Sequence, residues 1–183
     1  MKNKFSAGST APDFSFDTPW ETSLQFYAVM GKTPTVLFFL RYVGCPICQM
    51  KISEIIHDLE LFKKEKVQVL VVLQSPPESV KKQLYGEELS FKIICDPGGR
   101  VFSLYGVKPG GILGYIAPPV IAQAVKATRK GFKHGKKEGK EMQTPAVFVI
   151  GPDKTIRYAY YGKHVADLPG NAFLLEQVRS GRS

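Results

Sequence analysis

Three stretches of the chain are apolar almost without interruption: Thr33 to Leu40 ("TPTVLFFL"), Val67 to Leu73 ("VQVLVVL") and Phe91 to Cys95 ("FKIIC"). Such short, β-prone runs fit strands covered on both faces. Between the first two, Ile52, Ile55, Ile56, Leu59 and Phe62 recur at helical spacing, with Lys51, Glu54, Asp58, Lys63 and Lys64 mostly between them. That spacing predicts an amphipathic helix of several turns. Pro46 stands where its missing N–H is harmless, in the first turn. "SPPESVKKQL" predicts a short helix with Ser75 as its N-cap. "DPGG" (Asp96 to Gly99) closes the third strand, and "RVFSLYGV" reads as one or two helical turns ending at Gly106. "KPGGILGY" reads as a loop, and "PPVIAQAVKATRKG" as a helix from near Pro119 to Gly131. "TPAVFVIGPDKTIRYAYYG" predicts two strands around the turn "GPDK", with Tyr158 and Tyr160 on one face under a helix. "DLPGNAFLLEQVRS" closes the chain as a helix, and "STAPDFSFDTPWET" reads as an extended arm.

The order is βαβαβα, a helical insert, then a β-hairpin and a helix. Helical crossovers imply parallel strands, and a hairpin implies antiparallel ones. The expected fold is therefore α/β, a central mixed sheet with helices on both faces. Residues 1–183 are read as one domain, interrupted by a helical, basic insert at about 107–143.

Composition changes this picture little. The chain is 44% hydrophobic and 22% charged, as in soluble globular proteins. No apolar run reaches the roughly 18 residues that span a bilayer. "MKNKFSAGSTAPDF" lacks the apolar core of a secretory signal, so a cytoplasmic location is expected, away from membranes. The net charge of +9 admits an acidic partner or serves solubility alone. It is concentrated in "KATRKGFKHGKKEGKEMQ", at Lys126, Arg129, Lys130, Lys133, Lys136, Lys137 and Lys140. That run reads first as a solvated, mobile loop and second as a docking patch for an acidic protein. Nucleic-acid binding is disfavoured, because Phe132 is its one aromatic and no binding motif accompanies it.

The candidate chemistry lies at Cys45 and Cys48, where a strand gives way to a helix. Structural zinc wants four ligands, and beyond this pair there are only Cys95 and the scattered His57, His134 and His164, so no metal is expected. Cys95 ends an apolar strand and reads as buried packing. At a helix N-terminus, unpaired N–H groups and the dipole favour an anion such as a thiolate. The dipole supplies roughly 0.3–1 kcal/mol, less than about one pKa unit. Hydrogen bonds must supply any larger shift. Two intervening residues bring Cys48 back beside Cys45. The expectation is that Cys45, the more exposed, attacks and that Cys48, one turn in, resolves.

The strand "TVLFFLRYVG", then "CPIC", then a long helix resembles the active site of the thioredoxin superfamily. "AGSTAPDFSF", "FKIICDPGGRVFSLYGV" and "TPAVFVIGPDKTIRYAYYG" resemble segments of its peroxiredoxin branch, the alkyl hydroperoxide reductase and thiol-specific antioxidant family. The likeness runs from about Ala11 to Val178 and is poorest from Val107 to Gln143. It implies a thioredoxin-like fold with Thr144-Pro145 where such proteins place a cis-proline facing the cysteines. Tyr42, Pro46, Thr144 and Pro145 are then the expected substrate cleft. The chain departs from the family pattern at Phe38, in place of a proline, and at Tyr42, in place of a Thr or Ser. Thr144-Pro145 also stands where the family carries an arginine. Tyr42 offers a hydroxyl, and Arg41 or Arg100 a charge, as candidate substitutes.

The implied function is a thiol-based antioxidant oxidoreductase that cycles Cys45 and Cys48 between dithiol and disulfide. It would reduce disulfides or peroxides and be reset by a thioredoxin- or glutaredoxin-like dithiol, with no cofactor. The alternatives are a dedicated hydroperoxide peroxidase, and a non-enzymatic redox sensor or docking protein acting through the basic insert.

Overall fold

The computed structural model describes residues 4–111 and 117–181. A five-stranded sheet has the order β5-β4-β3-β6-β7. Its strands are β3 (Thr35–Phe39), β4 (Gln68–Leu73), β5 (Lys92–Cys95), β6 (Ala146–Ile150) and β7 (Ile156–Tyr161). β3 runs parallel to β4, and β4 to β5, while β6 is antiparallel to both β3 and β7. The mixed sheet expected from the order of elements is thus present. β3 lies at its centre, so the residues after Phe39 emerge between parallel and antiparallel neighbours.

Alternate side chains divide the core into two layers. Val36, Phe38, Val69, Val71, Ile93 and Val147 face one side with Ile52, Ile55, Phe62, Val80 and Leu174 from the helices. These helices are α2 (Pro46–His57), α3 (Leu59–Lys64), α4 (Pro77–Gln83) and α7 (Asn171–Ser180). Leu37, Phe39, Leu70, Val72, Ile94 and Phe148 face the other side, against α1 (Phe26–Met30) and α5 (Arg100–Leu104). Helices therefore cover both faces, and a period of two within each strand accounts for the division.

Several local expectations change. The N-terminal arm is structured: β1 (Ser15–Phe16) and β2 (Leu24–Gln25) pair antiparallel and lead into α1. The helix expected from Pro46 to Phe62 is broken at Asp58, whose carboxylate accepts from Asn171 Nδ2 at 2.9 Å. Ile56, in the last turn of α2, is exposed. Ser75 does not cap α4, because Pro76 holds the cap position and Pro77 the first turn. Its hydroxyl instead accepts from Val43 N at 3.0 Å and braces the turn before Cys45. Asp96 of the "DPGG" turn accepts from the amides of Arg100, Val101 and Phe102 and so starts α5. Tyr158 stacks on Tyr160 and meets Phe173 of α7, as the alternation predicts. Cys95 is a buried free thiol whose pKa burial pushes up to about 12.

Between residues 107 and 143, α6 (Pro118–Arg129) forms, and Gly131 follows it with φ of +89°. Ile112 to Tyr115 of the expected loop "KPGGILGY" lie outside the described residues. Among the described residues no helix is long and apolar enough to cross a membrane.

Candidate active site

The strand β3 and the helix α2 are joined by Leu40–Cys45. Cys45 is the N-cap of α2, extended at φ −82° and ψ 121°, with Pro46 in the first helical turn. Its Sγ accepts from the Cys48 amide at 3.4 Å, one of the donors that a helix start leaves unpaired. The turn is pinned by Cys45 N on Tyr42 O at 3.1 Å, Gln74 N on Arg41 O at 2.6 Å and Gln49 Nε2 on Val43 O at 3.0 Å. Local sequence thus sets the sulfur at the helix start, as the motif predicts.

Arg41 supplies the charge. Its Nη2 lies 2.9 Å from Cys45 Sγ, and its Nη1 donates to the carbonyl of Glu141. Arg100, the other candidate, donates to Ser15 O instead. The two thiols are driven apart in acidity. A hydrogen bond from Cys48 leads the effects that hold Cys45 down to about 6. The Arg41 charge adds to it, and together they overcome burial. Burial pushes Cys48 well above the ordinary thiol range, and its hydrogen bond to Cys45 adds to the rise. The guanidinium of Arg41 is disfavoured by burial but held charged by Cys45 and Cys48. Cys45 is the better nucleophile on acidity alone.

Exposure does not support that assignment as expected. Cys45 is 0% exposed and Cys48 3%, so the first cysteine is not the more accessible. The segment Phe132 to Glu141 crosses the turn that carries Cys45. Gly135 N donates to Gly44 O at 2.8 Å, Gln49 Nε2 to Lys133 O at 3.3 Å, and Lys140 N to Gln74 Oε1 at 2.6 Å. Ser79 Oγ donates to Glu138 at 2.6 Å. The basic run is therefore pinned across the site and is not the free loop that its composition suggests. A Cβ on Gly44 would stand 2.5 Å from the Lys136 carbonyl oxygen, so backbone must move for any larger residue. Gly44→Ala is expected to destabilise the protein by about 1–3 kcal/mol, the range for overpacking. It should also speed alkylation of Cys45 by a bulky maleimide, read by peptide mass mapping against wild type.

The expected cleft is only partly assembled. Pro145 lines a cavity of about 110 Å³ with Arg41, Cys48, Met50, Lys51 and Gln123. Pro46 lines an adjoining groove of about 640 Å³, which shares Arg41 and Ile47 with that cavity and adds Ile121, Val125 and Phe132. Tyr42 is buried, with its hydroxyl 3.3 Å from His134 Nε2 and 3.5 Å from Glu141 Oε1. The Thr144 hydroxyl donates to Lys108 O at 2.8 Å, toward the far side of the insert. No cis peptide bond occurs among the described residues, so the Thr144-Pro145 bond is trans, the form favoured for any X-Pro pair. Sequence reasoning did not find Lys51. Its Nζ donates to Asn171 Oδ1 at 2.8 Å and to Pro169 O at 3.3 Å, and burial lowers its pKa. A lysine three residues after Cys48, on the buried face of α2, was the available signal.

Comparisons with known proteins bear on the fold and the family. A peroxidoxin BcpB from Mycobacterium tuberculosis superposes with a TM-score of 0.69 at 18% identity, covering 97% of this chain and 99% of that one. A yeast mitochondrial 1-Cys peroxiredoxin gives 0.71 at 21% identity, covering 97% and 76%. A putative thiol:disulfide interchange protein DsbE from Chlorobium tepidum gives 0.64 at 19% identity, covering 98% and 100%. The fold is thioredoxin-like. No curated protein sequence matches the chain. Residues 7–159 match the profile of the AhpC/TSA family, most of the chain and both cysteines included, and the chain belongs to that family.

Proposed function

We propose that the protein is a thiol peroxidase-type antioxidant oxidoreductase in which Cys45 attacks a small hydroperoxide and Cys48 resolves the product. The observation that carries this reading is the Cys45 sulfur between the Arg41 guanidinium at 2.9 Å and the Cys48 amide at 3.4 Å. That placement, with a pKa of about 6, keeps the thiolate populated at neutral pH.

The steps balance as follows. The Cys45 thiolate attacks one peroxide oxygen, the O–O bond breaks, and the alkoxide leaves and takes a proton from water. Cys45 is then a sulfenic acid. The Cys48 sulfur attacks it, hydroxide departs with the Cys48 proton as water, and the Cys45–Cys48 disulfide forms. The net change is one peroxide reduced to an alcohol and water while two thiols become a disulfide. An external dithiol reverses the last oxidation. Because Cys48 keeps its proton in the resting state, it does not compete as the first nucleophile.

With the segment Phe132 to Glu141 in place both sulfurs are buried, beside a cavity of about 110 Å³ at Arg41 and Cys48, which suits a small peroxide as the oxidising substrate. The test is Cys48→Ser treated with one equivalent of hydrogen peroxide and a dimedone-type probe. A sulfenic acid trapped at Cys45 is the expected result. Probe carried on another cysteine, or none, would refute the roles.

A further inference from the structure

The segment that crosses the Cys45 turn is sorted by charge. Between Lys130 and Glu141 there are five lysines and two glutamates. Glu138 accepts from Ser79; Glu141 receives Arg41 on its carbonyl and the Tyr42 hydroxyl on its carboxylate, which also pairs with Lys137 at 3.1 Å and so removes that lysine from the free charge. Lys133, Lys136 and Lys140 are exposed. Backbone atoms of the same segment, Lys133 O and Gly135 N, hold the turn beneath. The strap is thus bonded to the active-site turn through its backbone, at Gly44, next to Cys45, and it carries exposed lysines.

That arrangement bears on how the disulfide is reset. A reductant thiolate must reach a sulfur in line, and the strap crosses the turn of Cys45, which is 0% exposed. The strap carries no regular helix or strand within Lys133 to Lys140 and is held by separate hydrogen bonds, so it opens at less cost than unwinding α2.

We propose that this cationic strap is the docking surface for an acidic dithiol protein, which binds over Cys45 and lifts the strap to reduce the Cys45–Cys48 disulfide. The inference rests on the thiol-peroxidase reading above. The partner's thiolate attacks Cys45 Sγ, the Cys45–Cys48 bond breaks, and Cys48 leaves with the electron pair and takes a proton. The partner's second thiol then attacks its own sulfur in the mixed disulfide. Cys45 is released as the thiolate, and the partner leaves oxidised to its disulfide. The lysines attract the oppositely charged acidic partner, and the attraction weakens with salt.

The experiment follows single-turnover reduction of the peroxide-oxidised protein by a reduced thioredoxin of net negative charge, and in parallel by dithiothreitol. In the triple variant K133E/K136E/K140E, reduction by the acidic thioredoxin at low salt is expected to slow about tenfold or more, within the range of electrostatic steering. Reduction by dithiothreitol is expected to stay unchanged, and the wild-type advantage to vanish at high salt. Ser79→Ala, which releases Glu138 and keeps every lysine, is expected to speed reduction by the thioredoxin severalfold. Equal thioredoxin rates in wild type and triple variant would overturn the docking surface, and an unaltered rate in Ser79→Ala would overturn the lifting of the strap. Failure of the wild-type protein to form the Cys45–Cys48 disulfide at all would instead refute the proposed function, and is scored before any reductant is added.

Discussion

Cys45→Ser is expected to abolish peroxide consumption, with a loss on the order of 10³-fold or more, because a serine hydroxyl is not ionised at neutral pH and has no comparable nucleophilicity. Stability should change little, since the side chain keeps its size and its N-cap acceptor, and serine is itself a favoured cap. The pairing of lost chemistry with kept folding separates a catalytic sulfur from a packing one. The measurement is single-turnover oxidation by hydrogen peroxide beside a thermal melt. Cys95→Ser is the natural control: Cys95 lies at the end of β5, and burial raises its pKa to about 12. It should oxidise no differently from wild type.

Arg41→Met carries the second large effect. Removing the guanidinium takes away the charge 2.9 Å from Cys45 Sγ and leaves the Cys48 hydrogen bonds alone to oppose burial. The pKa of Cys45 should then rise from about 6 toward the ordinary thiol value, with the Cys48 hydrogen bonds still holding it down. With a pKa of about 6, roughly 90% of Cys45 is ionised at pH 7, and at an ordinary value of about 8.5 only ~3% is. The oxidation rate at pH 7 should fall severalfold, and the rate should recover as pH is raised. A titration of the thiolate ultraviolet absorbance gives the same midpoint independently of rate. The sign of the linkage fixes a stability effect too. A folded-state pKa below the unfolded one adds stability to the reduced protein that is full above the unfolded value and is lost as pH falls through about 6. Between those limits Cys45 contributes a slope of about 1.4 kcal/mol per pH unit, and Arg41→Met should flatten it.

The architecture was legible where a local signal and a global one agree. Unbroken apolar runs marked β3, β4 and β5, and helical crossovers required them to be parallel, which is the pairing found. Pro46 and the apolar spacing after it placed Cys45 at a helix start, and the cap geometry follows from those residues alone. What was not legible depends on contacts distant in sequence. Arg41 was one of two candidate charges, and only the 100-residue reach to Glu141 shows why it is held at the sulfur. Nothing local says that Gly44 and Gly135 pack backbone against backbone, so a lysine-rich, glycine-spaced run read as a mobile loop. The expected exposure of Cys45 is reversed as well. Thr144-Pro145 followed the resemblance to a cis-proline, but Thr144 turns to Lys108 and only Pro145 reaches the cavity beside Cys48. The break at Asp58 likewise depends on Asn171, more than a hundred residues on.

The central claim is that Cys45 and Cys48 form a peroxide-reactive pair. The most direct measurement mixes the fully reduced protein with one equivalent of hydrogen peroxide and follows intact mass with time, beside free cysteine at the same pH. The account predicts oxidation far faster than free cysteine, ending in the loss of two hydrogens, with the new disulfide mapped to Cys45 and Cys48. Oxidation no faster than free cysteine, or a disulfide that includes Cys95, would contradict it.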